Sequence, residues 1–148
     1  MDWGFPFLWK SYIIRVFQRE SPRGSGPGLS WEASMNIIIV GAGKVGSALT
    51  QQLSAEGHNV TVVDQDPRLI DNIINIYDVM GVCGNGAVSS VQREAEVERA
   101  DLLIATTSSD ELNILSCLVA KKLGVNHTIA RIRNPEYEKQ LRFMREEL

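Results

Sequence analysis

The sequence predicts an α/β fold, a doubly wound parallel sheet of about five strands with helices on both faces. The first observation is an apolar run, Ile37-Ile38-Ile39-Val40, that leads into the glycine-rich turn Gly41-Ala42-Gly43-Lys44-Val45-Gly46. The second is that short apolar runs alternate with stretches of helical period from residue 35 onward. Because successive parallel strands need a crossover, usually a helix, this alternation favours a parallel sheet.

A helix and a second strand complete a strand–helix–strand unit after the glycine-rich turn. Val45, Leu49 and Leu53 recur at helical spacing, and Val60-Thr61-Val62-Val63 is a second apolar run that closes on Asp64. An acid at this point, 18 residues beyond the last glycine of the turn, is typical of a dinucleotide site. The alternative is a sharp strand-to-helix turn without a ligand, followed by a solvated aspartate.

Each residue of this unit has a distinct expected role. Gly41 allows the tight turn, Gly43 lets a pyrophosphate approach the backbone, and Gly46 lets the helix pack close to the strand. The phosphates would lie on free N–H groups at the start of the helix, where the helix dipole also favours negative charge. The carboxylate of Asp64 is placed to accept hydrogen bonds from both hydroxyls of an adenosine ribose and to repel a 2′-phosphate.

The later part of the chain continues the alternation of strands and helices. Strands are predicted over residues 79–83, 102–106 and 128–132. Helices are predicted from Pro67 to near Tyr77, up to about Ala95, over residues 110–123, and from Pro135 onward. The helix over residues 110–123 should pack on the sheet through its apolar positions Leu112, Leu115, Leu118 and Val119.

Length and charge limit the classes of function. A chain of 148 residues holds one domain and can bury a proper core. Its apolar runs fall short of the roughly 18 to 20 residues that span a bilayer, so no transmembrane helix is predicted. The net charge of −3 is mild, and Lys and Arg are scattered rather than gathered in a stripe, which argues against a nucleic-acid partner.

The cysteines and histidines indicate neither a disulfide framework nor a metal site. Cys83 and Cys117 are the only cysteines and lie in no C-x-x-C pair, so we expect two reduced, buried thiols of a cytosolic protein. His58 and His127 have no acidic or cysteine neighbours at metal-ligand spacing. We expect both histidines at the surface near loops and assign no metal.

Residues 1–34 differ in character from the rest of the chain. They begin aromatic and apolar, and Arg23-Gly24-Ser25-Gly26-Pro27-Gly28 then reads as a flexible linker. Because Met35 directly precedes the first strand, we interpret residues 1–34 as a leader appended to the natural protein and exclude them from the fold. The alternative is an interfacial membrane anchor, since Trp and Phe side chains accompany Lys10, Arg15 and Arg19. A secretory signal is disfavoured because no small-residue cleavage site follows the apolar part.

Loops at the carboxyl ends of the strands are where ligands bind in such a sheet. Gly84-Asn85-Gly86-Ala87 follows the third strand, and its glycines would permit a flat backbone approach beside an adenine ring; an ordinary turn is the alternative. Thr107, Ser108 and Asn113 follow the fourth strand and offer polar contacts to the distal half of a dinucleotide.

The start of the helix after the fourth strand has a second reading as a helix cap. Ser108 and Glu111 form a capping-box pattern, and Asp110 and Glu111 in the first turn favour the helix dipole. These two acids would repel phosphate. We therefore expect a poor second phosphate site here.

Three basic residues near the predicted strand ends stay open between two roles. Arg131 and Arg133 flank Ile132 and project on the same side of an extended chain. One of them could reach a ligand phosphate or an acidic group on a partner subunit, or both could be solvated charges at a strand end. Lys44, inside the glycine-rich turn, is either exposed or in contact with phosphate across an interface.

Taken together, several segments closely resemble the nucleotide-binding domain of Trk-type potassium uptake regulators of the TrkA family, the N-terminal half of an RCK unit, also called KTN. The likeness covers residues 35–148 and is most specific around the fourth strand. The segments that carry it are residues 35–46, Val62-Val63-Asp64, Gly84-Asn85-Gly86-Ala87, residues 100–113, and Ala130-Arg131-Ile132-Arg133-Asn134-Pro135.

The resemblance implies a regulatory function rather than an enzyme. Such a domain is a peripheral cytoplasmic subunit at the inner face of the cell membrane, where dimers assemble into a tetrameric or larger ring under a potassium-translocating membrane subunit. It binds NAD or NADH, with ATP/ADP or AMP as the alternative, in a Rossmann-like fold. The competing function is the cofactor-binding half of an NAD-dependent oxidoreductase, which would need a substrate domain and a general acid or base.

The resemblance also implies a set of cofactor-binding residues. The glycines become the pyrophosphate loop and Asp64 the ribose ligand, Asn85 and Ala87 line the adenine, and Lys44 can approach a neighbour's ligand phosphate. The full set is Gly41, Gly43, Lys44, Val45, Gly46, Asp64, Gln65, Arg68, Gly84, Asn85, Ala87, Thr106, Thr107, Ser108, Asn113 and Arg131.

Parts of a complete regulator have no counterpart in this sequence. The sixth strand of a complete fold, a ligand-sensing C-terminal subdomain and a second RCK unit are all absent, so we expect the full regulator to be longer. On the last helix, Tyr137, Leu141, Met144 and Leu148 form an apolar stripe. The stripe is either a subunit interface or packing against the domain's own sheet.

Overall fold

Five parallel strands form the body of the sheet in this computed structural model, which describes the backbone of residues 13–18 and 33–147 and the side chains of residues 33–144. The strands are β1 (Ile13–Gln18), β2 (Asn36–Val40), β3 (Asn59–Asp64), β4 (Met80–Cys83), β5 (Leu102–Ala105) and β6 (His127–Arg131). The helices are α1 (Lys44–Ala55), α2 (Pro67–Ile76), α3 (Ser89–Glu94), α4 (Asp110–Lys122) and α5 (Pro135–Glu147), with a 3-10 turn at Val97–Arg99.

The strand order β1-β6-β5-β2-β3-β4 confirms the predicted Rossmann-like topology. Strands β2 to β6 all run parallel, and β2 lies between β3 and β5. In the register, Val40 at the end of β2 pairs with Val63 on one side and with Ala105 on the other. The order of the strands reverses at β2, because β3 and β4 follow on one side of it and β5 and β6 on the other. The loops after β2, β3 and β5 therefore meet at one edge of the sheet, the usual ligand position in this topology.

Alternating side chains of the strands build a core on each face of the sheet. Ile37 and Ile39 of β2 pack towards α1 and α2, whereas Ile38 and Val40 pack towards α3 and α4. All four residues are at most 2% exposed. Since fully burying one such side chain stabilises by roughly 1.5–3 kcal/mol, the central strand anchors both layers.

The buried face of α4 differs from the predicted one. Leu115 is 49% exposed, and the buried residues of the helix are Asp110, Asn113, Ser116, Cys117 and Ala120. Mostly small side chains on this face let the helix lie close to the sheet, and the buried polar ones find hydrogen-bond partners. Packing rather than hydrophobicity alone sets the rotation of α4.

Strand β1 corrects the exclusion of residues 1–34 from the fold. It pairs antiparallel with β6, with Ile13 opposite Arg131 and Gln18 opposite His127. Without it, β6 would be an edge strand with a row of unpaired backbone groups, and the β-branched and aromatic residues of Ile13–Gln18 suit a strand. The sheet thus has a sixth strand, supplied from before β2. The appended origin of residues 1–34 stays a prediction.

Two of the four cysteine and histidine placements differ from the expectation. His58 is only 8% exposed, and its Nδ1 accepts a hydrogen bond from the backbone N–H of Met35 at 3.1 Å, which ties the start of β2 to the end of α1. Cys83 is exposed because β4 is an edge strand, whereas Cys117 is buried as predicted. Burial raises the pKa of the Cys117 thiol to about 12.

Helix α5 uses part of its apolar stripe for the core. Leu141 is 2% exposed and belongs to the core on the α3 and α4 face, and Tyr137 packs against that core. Met144 is half-buried, and Leu148 lies outside the described residues. Core packing therefore accounts for Tyr137 and Leu141. No helix in the described part of the chain is both long and apolar enough to cross a bilayer.

Glu96 is the one described non-glycine residue with a positive φ, 59°, at the turn between α3 and the 3-10 segment. The left-handed conformation is unfavourable for an L-residue but not for glycine. Glu96→Gly should therefore raise the free energy of unfolding by about 0.5–1 kcal/mol, measured by urea denaturation. The exposed ion pair of Glu96 with Arg99 adds little to oppose this. Glu98→Gly, at an ordinary φ nearby, should lower stability, and a loss of stability in Glu96→Gly would contradict the strain.

Candidate functional site

A cleft of about 540 Å³ opens at the carboxyl ends of the parallel strands. Its walls come from the glycine-rich turn after β2, from the loops after β3, β4 and β5, and from Arg131 at the end of β6. The lining residues are Val40, Gly41, Gly43, Lys44, Val45, Val63, Asp64, Gln65, Leu69, Gly84, Gly86, Thr106, Thr107, Ser108, Ser109, Leu112 and Arg131.

Most of the predicted set lies in this lining. Five predicted residues do not: Gly46, Arg68, Asn85, Ala87 and Asn113. The apolar walls Val40, Val63, Leu69 and Leu112, together with Ser109, were missed by the sequence analysis, whereas Gly86 was predicted only as part of the loop after the third strand. Apolar side chains in predicted strands and helices carry no signal that separates a cleft wall from the core.

The glycine-rich turn has the geometry that its sequence predicts. Gly41 has a φ of +108°, and its N–H donates to the carbonyl oxygen of Val63 at 2.8 Å. A Cβ at Gly46 would lie 1.7 Å from the carbonyl oxygen of Gly41, so α1 packs directly on the turn. A Cβ at Gly43 would meet no atom within 4 Å. Gly43 therefore faces open space in the cleft.

The start of α1 is left without a side-chain cap. Gly43 is its N-cap residue and the first turn carries no acid, whereas α2 and α4 are capped by the side chains of Asp66 and Ser109. Uncapped first-turn N–H groups at the positive end of a helix dipole form a ready anion site. Because Gly43, Lys44 and Val45 line the cleft, this end of α1 faces it.

Asp64 joins the glycine-rich turn to the end of β3. Its Oδ2 accepts from the N–H of Ala42 at 2.8 Å, and its Oδ1 accepts from the N–H of Asp66 at 2.8 Å. A carboxylate offers about four lone-pair sites, so it retains capacity for two further donors. The half-buried carboxylate is thus held in place while it lines the cleft.

Asn113 lies behind the cleft wall and not in it. It is fully buried, and its Oδ1 accepts from the N–H of Thr107 at 2.8 Å. Its Nδ2 donates to the carbonyl oxygen of Arg131 at 2.8 Å and to that of Thr107 at 3.1 Å. The side chain therefore holds the loop after β5 against the end of β6, and leaves Thr107 and Arg131 as the groups that line the cleft.

The cap of α4 is one residue later than the sequence predicts. The helix begins at Asp110, so Ser109 is the N-cap and its Oγ accepts from the N–H of Leu112 at 3.2 Å. Ser108 lines the cleft, and its carbonyl oxygen accepts from the guanidinium of Arg133. The predicted capping role of Ser108 was therefore wrong.

The basic residues separate into cleft and non-cleft groups. Lys44 and Arg131 line the cleft, whereas the side chain of Arg133 is engaged with Ser108. Arg68 is 87% exposed and pairs with Asp66 at 3.1 Å. The hydrogen bond from the Arg68 side chain lowers the pKa of the Asp66 carboxyl. Positive charge in the cleft thus comes from the exposed Lys44 and the half-buried Arg131.

In the loop after β4, the glycines and not their neighbours face the cleft. The Oδ1 of Asn85 accepts from the N–H of Ala87 at 2.9 Å, which closes a local turn. A Cβ at Gly86 would lie 2.3 Å from the side chain of Val40. The loop therefore crosses the end of β2 in close contact, and Gly84 and Gly86 form this wall.

Comparison with known proteins decides the family. The family model described as the TrkA-N domain matches residues 37–145, which is most of the chain. The chain belongs to the TrkA-N domain family. This TrkA-N domain is 36% identical over 104 residues to the Trk system potassium uptake protein TrkA homolog of Methanothermobacter thermautotrophicus, covering 70% of this chain and 48% of that protein. It is 44% identical over 103 residues to the homolog of Archaeoglobus fulgidus, covering 70% of this chain and 23% of that protein.

Solved structures share the fold of this TrkA-N domain. The TrkA-N domain of inner membrane protein ybaL from Escherichia coli has a TM-score of 0.51 at 22% identity, covering 78% of this chain and 98% of that one. The GsuK channel bound to NAD has a TM-score of 0.54 at 23% identity, covering 64% and 17%. The Kef CTD of Shewanella denitrificans in AMP-bound form has a TM-score of 0.52 at 24% identity, covering 59% and 52%. The likeness confirms the Rossmann-like fold.

The second and third glycines of the turn, Gly43 and Gly46, should differ in their response to the same substitution. Gly46→Ala should lower the free energy of unfolding by about 2–3 kcal/mol or more, because its Cβ would collide with a backbone carbonyl. Gly43→Ala should change it by no more than about 1 kcal/mol, because its Cβ enters open space. Chemical denaturation of the two variants checks this, and equal destabilisation would contradict the packing of α1 on the turn.

Proposed function

We propose that this TrkA-N domain binds NAD or NADH in its cleft and that the bound nucleotide controls a potassium-translocating membrane protein. The observation that carries the proposal is the combination of an uncapped helix start at α1 with the carboxylate of Asp64 in one cleft. The first favours a diphosphate and the second favours the vicinal hydroxyls of a ribose. Each ligand group has a partner of complementary chemistry.

The pose follows from the order of the walls. The pyrophosphate would lie on the first turn of α1, the adenosine ribose on Asp64, and the adenine between Leu69 and the loop of Gly84 and Gly86. The distal half would extend over Thr106-Thr107-Ser108 towards Arg131. A cleft of about 540 Å³ is within the range of about 300–1,000 Å³ for small-molecule sites. AMP or ATP/ADP would use the adenosine half alone, and stays the alternative ligand.

The regulatory role is supported by the relatives and by the composition of the cleft. The curated relatives are named Trk system potassium uptake proteins, and two structural neighbours are the GsuK channel and the Kef CTD. No His, Cys, Tyr or Glu lines the cleft among the described residues, and Asp64 is engaged with backbone N–H groups. A dehydrogenase would need a general acid or base near the nicotinamide.

The proposed control of a transporter involves an assembly. The chain spans 48% of the length of the first curated relative and 23% of the second. We infer homo-oligomers that sit at the cytoplasmic side of a membrane partner. The exposed Leu115 beside the half-buried Leu118 and Val119 on α4 supports a protein contact there. A ligand acts in such an assembly only by binding its two conformations unequally.

Replacing Asp64 should test the ribose contact. Asp64→Asn keeps an acceptor for the N–H of Ala42 but removes the charge, so NAD⁺ affinity should fall by about tenfold or more in calorimetry. The preference for NAD⁺ over NADP⁺ should narrow as well, because the repulsion of the 2′-phosphate is lost. Asp66→Asn, which keeps an N-cap outside the cleft, is the matched control. Unchanged affinity in Asp64→Asn would contradict the ribose assignment.

The enzyme alternative makes a different prediction. Incubation of the protein with NAD⁺ and a panel of hydroxy acids should give no rise in the absorbance of reduced nicotinamide, at about 340 nm. Wild-type protein saturated with NAD⁺, as verified by calorimetry, is the control for occupancy. Sustained turnover would contradict the regulatory function.

A further inference from the structure

Gln92 is a polar side chain in the core on the α3 and α4 face of the sheet. It is 0% exposed, and its Nε2 donates to the carbonyl oxygen of Gly86 at 2.8 Å and to that of Ser116 at 2.8 Å. The two acceptors fix the orientation of the amide, since a flipped amide would point its oxygen at two other oxygens. Both bonds are therefore determined by the surrounding backbone.

The Oε1 atom of the same amide is energetically unfavourable where it lies. No described residue donates a hydrogen bond to the Oε1 of Gln92, although the atom is buried. A buried acceptor without a partner is unfavourable, and an apolar side chain of similar volume would fill this position without that penalty. Packing alone therefore does not account for a glutamine here. What the residue gains is the pair of bonds made by Nε2.

The two bonds connect opposite walls of the cleft. Gly86 lines the cleft in the loop after β4, where a Cβ would collide with Val40. Ser116 lies one turn after Leu112 on α4, and its Oγ donates to the carbonyl oxygen of Leu112 at 2.7 Å. Leu112 lines the cleft on the side of the β5 loop. Gln92 thus bridges the wall expected at the adenine and the wall expected at the distal half.

We propose that Gln92 is a positioning residue that sets the spacing of the two cleft walls for a ligand that spans both. The inference rests on the proposed function, because it assumes that a nucleotide occupies the cleft. A dinucleotide contacts both walls, whereas AMP contacts only the adenosine side. Loss of the bridge should therefore weaken NAD⁺ binding more than AMP binding.

The test compares the affinities of NAD⁺ and AMP in Gln92→Met, which has similar volume and no donor. The preference for NAD⁺ over AMP should fall by about fivefold or more in calorimetry, a typical size for coupling between two contact regions. Val125→Ala is the matched control. Val125 is buried in the same core but lies just before β6, at the amino ends of the parallel strands and therefore away from the cleft. The substitution should lower stability and leave the ratio of affinities unchanged.

A second variant covers the case in which Gln92→Met does not fold. Gln92→Asn keeps a buried amide but is one methylene too short to hold both carbonyls, so its preference for NAD⁺ should also fall. A folded variant with an unchanged ratio would overturn the role of Gln92 while leaving the proposed function intact. Failure of the wild-type protein to bind either nucleotide would overturn the proposed function itself.

Discussion

The contact between α1 and the glycine-rich turn is the constraint on which the site depends. With Gly46 against the carbonyl oxygen of Gly41, the helix starts directly at the end of β2, the strand on which both layers of the core are built. The same contact aims the first turn of α1 into the cleft, and Asp64 then locks the turn through the N–H of Ala42. A longer or looser connection would move the helix start away from the strand ends, and the candidate anion site would be lost with it.

Buried polar side chains hold the other loops in a common way. Asn113 joins the loop after β5 to β6, and the carboxylate of Asp110 accepts from the N–H groups of Arg133 at 3.0 Å and Asn134 at 2.8 Å. Each of these side chains satisfies backbone groups that no ladder pairs, as buried loops require. Asn113 and Asp110 thus hydrogen-bond to the backbone of the protein and hold the shape of its loops.

Local patterns predicted the strand–turn–helix–strand unit because each of its steps depends on neighbours in sequence. The glycine spacing, the helical period and the acid after β3 all lie within one short segment. The features that the sequence did not predict depend on contacts between distant segments. These contacts are the pairing of Ile13–Gln18 with β6, the hydrogen bond between Met35 and the buried His58, and the hydrogen bonds by which Asn113 joins the loop after β5 to β6. The helix start at Asp110 was predicted, but the capping residue is Ser109 and not Ser108, a one-residue difference that side-chain patterns rarely resolve. No periodicity signals that Gly86 crosses the end of β2.

The two helix starts at the cleft differ in charge, and this gives the proposed ligand a direction. The first turn of α1 has no acid and no cap, whereas α4 is capped by Ser109 and begins with Asp110 and Glu111. A hydrogen bond from Tyr137 lowers the pKa of the Glu111 carboxyl, which lies in the first turn of α4 and outside the cleft lining. In the proposed pose the diphosphate lies at α1 and the nicotinamide extends towards α4. NAD⁺ and NADH differ in charge only at that ring, so in this pose the two redox states would differ beside Thr107, Ser108 and Arg131. A wall that binds the two charges unequally is what a redox-dependent change of conformation requires.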